Sequence, residues 1–104
     1  MYTVIETPIY AKMANRLLAE REREALAAFI AGNPTAGAVV RSSGGVRKVR
    51  WGRGKRGRSG GVRVIYHNRL EIGEIWLLTI YGKNDRSTIP ASELKAIKEA
   101  LDNE

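Results

Sequence analysis

The chain contains no cysteine, which excludes a disulfide scaffold and a thiolate zinc site and is compatible with a reducing compartment. It contains one histidine, His67, so the pairing of His with Glu that often cleaves RNA has little to work with. No segment approaches the roughly 20 apolar residues needed to span a bilayer. Met1 to Pro8 carries Glu6 and lacks the apolar run of an export signal. A soluble, cytoplasmic protein is the expectation. The most informative absence is of acid: no Asp or Glu occurs from Ala25 to Leu70.

Ten of the 18 Lys and Arg residues fall inside that acid-free stretch, and the whole chain carries a formal net charge of +7. A field of one sign attracts a polyanion: a nucleic-acid backbone, an anionic membrane surface or an acidic protein. An ordinary solvated surface would mix both signs. The 104 residues suffice for one core, so residues 1–104 are read as a single domain.

The element pattern predicts an α+β domain. Tyr2 to Ile5 is β-branched and aromatic, an opening strand. In the helical stretch that follows, Met13 and Leu17 share one face while Leu26, Phe29 and Ile30 point roughly opposite. Two helices with a break near Ala19 to Glu22 explain that shift, and Gly32-Asn33-Pro34 ends the second. Val46 to Trp51, Val62 to His67 and Glu74 to Tyr81 then alternate as strands, with a short turn at Glu71 to Gly73. A final helix begins near Pro90 or Ser92 and aligns Leu94, Ile97 and Leu101. The expected architecture is an N-terminal strand and αα-hairpin, an antiparallel sheet of three to four strands, and a C-terminal helix, with the helices on one sheet face. Trp51, Trp76, Phe29 and Tyr66 are assigned to the core because they alternate with apolar neighbours.

Alternation puts Lys48 and Arg50 on one face of their strand, and one register sets Arg63 of the next strand beside them. Crowded cations repel, so the cluster needs an anion or solvent to relieve it. RNA cleavage requires a base for the 2′-OH proton, cations for the charge building on phosphorus, and an acid for the leaving 5′ oxygen. A lysine among cations can serve as that base, because its charged form is disfavoured. An arginine cannot, but it clamps phosphate bidentately. At the end of the third strand of this meander Tyr81 is placed to stack on a base and Lys83 to reach its phosphate. The Gly-rich run from Gly52 to Gly61, with Arg53, Lys55, Arg56 and Arg58, reads as a phosphate-gripping arm, and Arg47 adds to the same basic region. His67, on a strand, is read as structural.

Three segments together resemble one family: Gly-Gly-x-Arg-Lys-x-Arg at Gly44 to Arg50, Arg-Val-Ile-Tyr at Arg63 to Tyr66, and Leu-Leu-Thr-Ile-Tyr-Gly-Lys-Asn at Leu77 to Asn84. Over essentially its whole length the chain resembles the RelE/HigB toxins of type II toxin–antitoxin modules, in particular the HigB-like branch. That resemblance implies a microbial RNase-type fold that enters the ribosomal A site and cleaves messenger RNA. It implies messenger and ribosomal RNA as partners and a cognate antitoxin, often a helix-turn-helix protein, with no cofactor or metal. By motif, the working residues it implies are Lys48, Arg50, Arg63 and Lys83, with Asn84 and Arg86 nearby. The chain departs from some members where they place a tyrosine after the last strand. Here that region reads Arg86-Ser87-Thr88-Ile89-Pro90, and Tyr81 is the possible substitute. The competing class is a non-catalytic nucleic-acid-binding module. Membrane binding is disfavoured because the basic residues lie on strands and a loop, not on an amphipathic helix.

Overall fold

A computed structural model describes residues 2–52, 61–82 and 89–102. Chain order is β1 (Thr3–Glu6), α1 (Pro8–Leu17), α2 (Glu20–Gly32), β2 (Ala38–Val39), β3 (Arg47–Trp51), β4 (Val62–Arg69), β5 (Glu74–Gly82) and α3 (Ala91–Asp102), with a 3-10 turn at Leu70–Ile72. Among the described residues these build one five-stranded sheet in the order β1-β5-β4-β3-β2.

Local chemistry explains the element boundaries. Pro8 stands in the first turn of α1, where its missing N–H costs nothing, and Thr7 caps it by accepting from the Tyr10 N–H at 3.1 Å. The break between α1 and α2 falls at Leu18 and Ala19, where the backbone is extended. Glu22 steadies the new start by accepting from the Ala19 N–H at 3.3 Å, and Glu20 adds a second carboxylate to the positive end of the helix. At the other end the Asn33 side chain donates to the Phe29 carbonyl at 3.0 Å, satisfying one of the orphan acceptors there. Gly73, at φ 74°, closes the 3-10 turn in the left-handed region that a side chain would strain.

The meander β3-β4-β5 is antiparallel, as its alternation predicts. The sheet is nonetheless wider than three or four antiparallel strands and is mixed. β1 adds parallel to β5, with Thr3 opposite Glu74 and Glu6 opposite Leu77, and the two residues of β2 extend the other side. The expectation of helices on one face is corrected. Tyr10, Ala14, Leu18, Leu26 and Ile30 of the αα-hairpin segment pack with Val62, Val64, Tyr66, Ile75, Leu77 and Ile80. On the opposite face Leu94 and Leu101 of α3 pack with Val46, Ile65, Leu78, Tyr81 and Ile89. A central sheet with apolar side chains on both faces needs a cover on each.

One irregularity sets the phase of the last strand. Ile65 pairs with Thr79 and Tyr66 with Leu77, so Leu78 is an extra residue. This bulge reverses the phase of β5, which is why Leu78 and Tyr81, an odd number of residues apart, both belong to the α3-side core. The Thr7 hydroxyl donates to the Leu78 carbonyl at 2.8 Å, tying the start of α1 to the bulge.

Four aromatic residues were expected in the core, and only one is fully buried. Tyr66 is completely covered; its hydroxyl donates to the Pro34 carbonyl at 2.8 Å and accepts from the Gly37 N–H at 2.9 Å. A Cβ on Gly37 would lie 2.9 Å from that ring, so only glycine fits there. Trp51 and Trp76 are half-buried, and Phe29 is exposed. Amphipathic spacing assigned Phe29 to the core face, but it lies in the last turn of α2, toward the rim of the layer.

Candidate nucleic-acid interface

The register of β3, β4 and β5 sets Arg50, Arg63 and Tyr81 directly opposite one another in a cross-strand row. The next row on the same face is Lys48, Ile65 and Thr79. Strand alternation then brings Lys48, Arg50 and Arg63 together on one face, as the sequence predicted; that this face also carries α3 was not expected. Opposed like charges on neighbouring strands repel.

Arg50 is exposed, whereas Lys48 and Arg63 are half-buried. Nη1 of Arg63 is fully sequestered and has no hydrogen-bond partner among the described residues. A buried, unsatisfied charged donor costs about 1–3 kcal/mol or more, so the site is strained in the absence of an acceptor. Between these residues and the start of α3 lies a cleft of about 180 Å³, lined by Val40, Lys48, Ile65, Tyr81, Ile89, Pro90, Ala91 and Leu94. Its only charged wall is a lysine, and no carboxylate or imidazole lines it among the described residues. The arrangement can bind an anion and stabilise charge that develops on it. Lys48 is the proton carrier it offers.

Tyr81 is 4 % exposed and belongs to the α3-side core. It forms the floor of the cleft and does not stand out from it as a stacking platform. Arg47 is not brought into the cluster. It lies one residue from Lys48 and so on the other face, where Nη1 donates to the Gly37 carbonyl at 2.6 Å and more weakly to the Thr35 carbonyl at 3.5 Å. Lys83, Asn84 and Arg86, together with Arg53, Lys55, Arg56 and Arg58, lie outside the described residues.

At the far end of the same face the cations are matched. Arg69 bonds Asp102 of α3, which also accepts from Lys98 at 3.2 Å. The Arg69 guanidinium lies 5.9 Å from the centre of the Trp76 ring, within cation–π range. His67 belongs to this end. Burial pushes its imidazole below the usual histidine range, a hydrogen bond with the Gly45 backbone acts in the opposite sense, and Lys98 and Arg69 press it further down against a weaker pull from Asp102. Four residues separate it from Arg63, about 13 Å along an extended strand. The structural reading of His67 agrees with this placement.

Among the described residues no group of three or more His, Cys, Asp or Glu is placed to hold a metal, and no helix is long and apolar enough to cross a membrane. No protein-family model matches the chain. Among solved structures, a doubly substituted form of the E. coli toxin RelE in the free state superposes with a TM-score of 0.64. The match is 16% identical and covers 93% of this chain and 96% of that one. The fold is RelE-like.

Proposed function

We propose that this protein is a ribosome-dependent endoribonuclease, a RelE/HigB-type toxin of the HigB-like branch. It cuts translated messenger RNA in the ribosomal A site and is silenced by a cognate helix-turn-helix antitoxin in the cytoplasm. The observation that carries the reading is the cross-strand pair Arg50–Arg63 with Lys48 at the mouth of the adjoining cleft, on a RelE-like fold. Three cations without a carboxylate partner among the described residues fit a phosphodiester.

In the reaction, the 2′-oxygen attacks the adjacent phosphorus and gives up its proton while the 5′ oxygen leaves and gains one. The products are a cyclic phosphate and a free 5′-hydroxyl. Arg63, half-buried and directly opposite Arg50 on the neighbouring strand, is the principal stabiliser of the phosphorane. Arg50 holds the same or the neighbouring phosphate from the open side. Lys48 serves proton transfer, and Lys83 is the second lysine assigned to that task. Asn84 and Arg86 contact the substrate, while Arg53, Lys55, Arg56 and Arg58 grip ribosomal RNA backbone. Arg47 is removed from the RNA-binding set, because its guanidinium is engaged with loop carbonyls on the other face.

The second reading is a non-catalytic RNA-binding module of the same fold, favoured by cleft walls that among the described residues carry no carboxylate or imidazole. One experiment separates the two. The protein is induced briefly in a bacterial host, and new RNA 5′ ends are mapped on one message with its start codon intact or destroyed. Cuts confined to the translated message support the toxin. Cuts on both would mean a free ribonuclease. None, with folded protein present, would leave the binding module.

A further inference from the structure

Phe29 and Trp51 form an aromatic pair on the sheet face opposite the cleft. Their ring centres are 5.5 Å apart and the planes are inclined at 46°. That tilt leaves each ring with surface the other does not cover. Trp51 rests its inner side on the hairpin-side core. Phe29 is 36% exposed, and the Asn33 side chain fixes its backbone. Single exposed apolar residues are ordinary on protein surfaces, but here exposed Phe29 lies against half-buried Trp51 at the edge of the sheet.

The edge itself gives the pair a use. β2 pairs only with Arg47 and Lys48, so among the described residues no strand covers the outer side of β3 at Val49, Arg50 and Trp51. Consecutive strand residues point to opposite faces. Arg50 therefore projects to the cleft side and Trp51 to the hairpin side of the same uncovered rim. Both rings lie within the stretch from Ala25 to Leu70 that contains no acidic residue, so nothing in the local sequence repels a phosphate.

We propose that Phe29 and Trp51 form a stacking platform for an unpaired RNA base, with the backbone of that strand crossing the rim of β3 at Arg50. The chemistry of the platform is tolerant of base identity, since every base offers a π face. The inference rests on the reading of the protein as an RNA binder. It adds the two rings, which are not among the residues assigned to cleavage, and shares Arg50 with them.

The test uses the full chain carrying Trp76→Phe, so that Trp51 is the remaining indole, with a ten-nucleotide oligoadenylate and an abasic oligomer of equal length as probes. Binding is followed by anisotropy of a terminal dye and stacking by Trp51 emission. Both oligomers are expected to bind and only the oligoadenylate to quench Trp51. Phe29→Ala should then weaken oligoadenylate binding about 5- to 150-fold, leaving the abasic oligomer unchanged. In the unsubstituted chain, an oligoadenylate bearing one 5-iodouridine should crosslink to a peptide containing Phe29 or Trp51, a readout that does not depend on any substitution folding. Binding of both probes without quenching and without that crosslink would overturn the platform while leaving the RNA-binding reading in place. Binding of neither oligomer would overturn the platform, whereas the ribosome-dependent reading stands or falls on the cuts mapped on the translated message.

Discussion

The two ends of the α3-side sheet face carry the same residue types and treat them oppositely. At one end Arg69 and Lys98 share Asp102, and Arg69 also lies over Trp76. At the other, Lys48 lines the cleft and shares its sheet face with Arg50 and Arg63, with no ion pair among the described residues, and Arg63 hides a donor unsatisfied among them. The last turn of α3 supplies the acid at the first end, whereas the segment entering the helix lines the cleft at the second with Ile89, Pro90, Ala91 and Leu94. Cations on one sheet face are therefore paired or left open according to what covers them. Clustering of cations alone does not distinguish the two cases.

The largest expected effect breaks the functional end. Arg63→Ala should lower messenger cleavage by about 100- to 1000-fold, the usual loss when one preorganised donor to a developing oxyanion is removed. Thermal melting should be unchanged or raised, since a sequestered unpaired charge is relieved. A large fall in melting temperature would instead assign Arg63 to the structural class. Next comes the cover common to both ends. Leu94→Ala opens a hole beneath α3 and should cost about 2–5 kcal/mol in urea unfolding, reducing cleavage through the folded fraction and through the cleft wall that Leu94 forms.

Arg47 offers a cation satisfied by carbonyls, and so should behave like the paired end. Arg47→Met is expected to lower stability by about 1 kcal/mol and to leave cleavage per folded molecule within about twofold of the parent, the small change expected away from the reacting phosphate. The smallest effect is the pH response of the paired end. His67 is held below its ordinary value of 6.5, so the folded state favours the neutral ring. The stability gained from that preference is complete above 6.5 and is lost as pH falls from there through the lower folded value. Asp102 is held below its ordinary 3.8, chiefly by its hydrogen bond with Lys98. Its contribution is lost only in a more acid window, as pH falls below 3.8. Urea midpoints should thus drop between pH 7.5 and 5.5 in the parent and less so in His67→Asn, with cleavage at pH 7.5 alike in both.

Much of the fold was legible because periodicity is a local property. The phase shift between Met13 and Leu26 located the helix break within a residue or two of Leu18. Strict alternation put Lys48 and Arg50 on one side and Val49 and Trp51 on the other, where the latter two join the hairpin-side core. The parallel pairing of β1 with β5 was not legible, since it joins segments about 70 residues apart and four β-branched or aromatic residues do not name their neighbour. Alternation also could not foresee the bulge at Leu78, which sends Tyr81 into the core floor when a regular strand would keep it in phase with Ile75 and Leu77.

The sequence by itself determined where the helices and the central meander lie, which side chains share a strand face, and that the middle of the chain is a field of one sign. Those properties follow from the 2.0 and 3.6 residue repeats and from composition, none of which needs a distant partner. Only the tertiary structure decided that helices cover both sheet faces, and that Arg69 meets Asp102 while Arg63 is left unsatisfied. It also decided that Arg47 is spent on loop carbonyls and that Phe29 and Trp51 reach the rim. Each of these depends on which group arrives through space to satisfy a charge or cover a ring. In a folded chain that group comes from residues far away in sequence, brought close by packing.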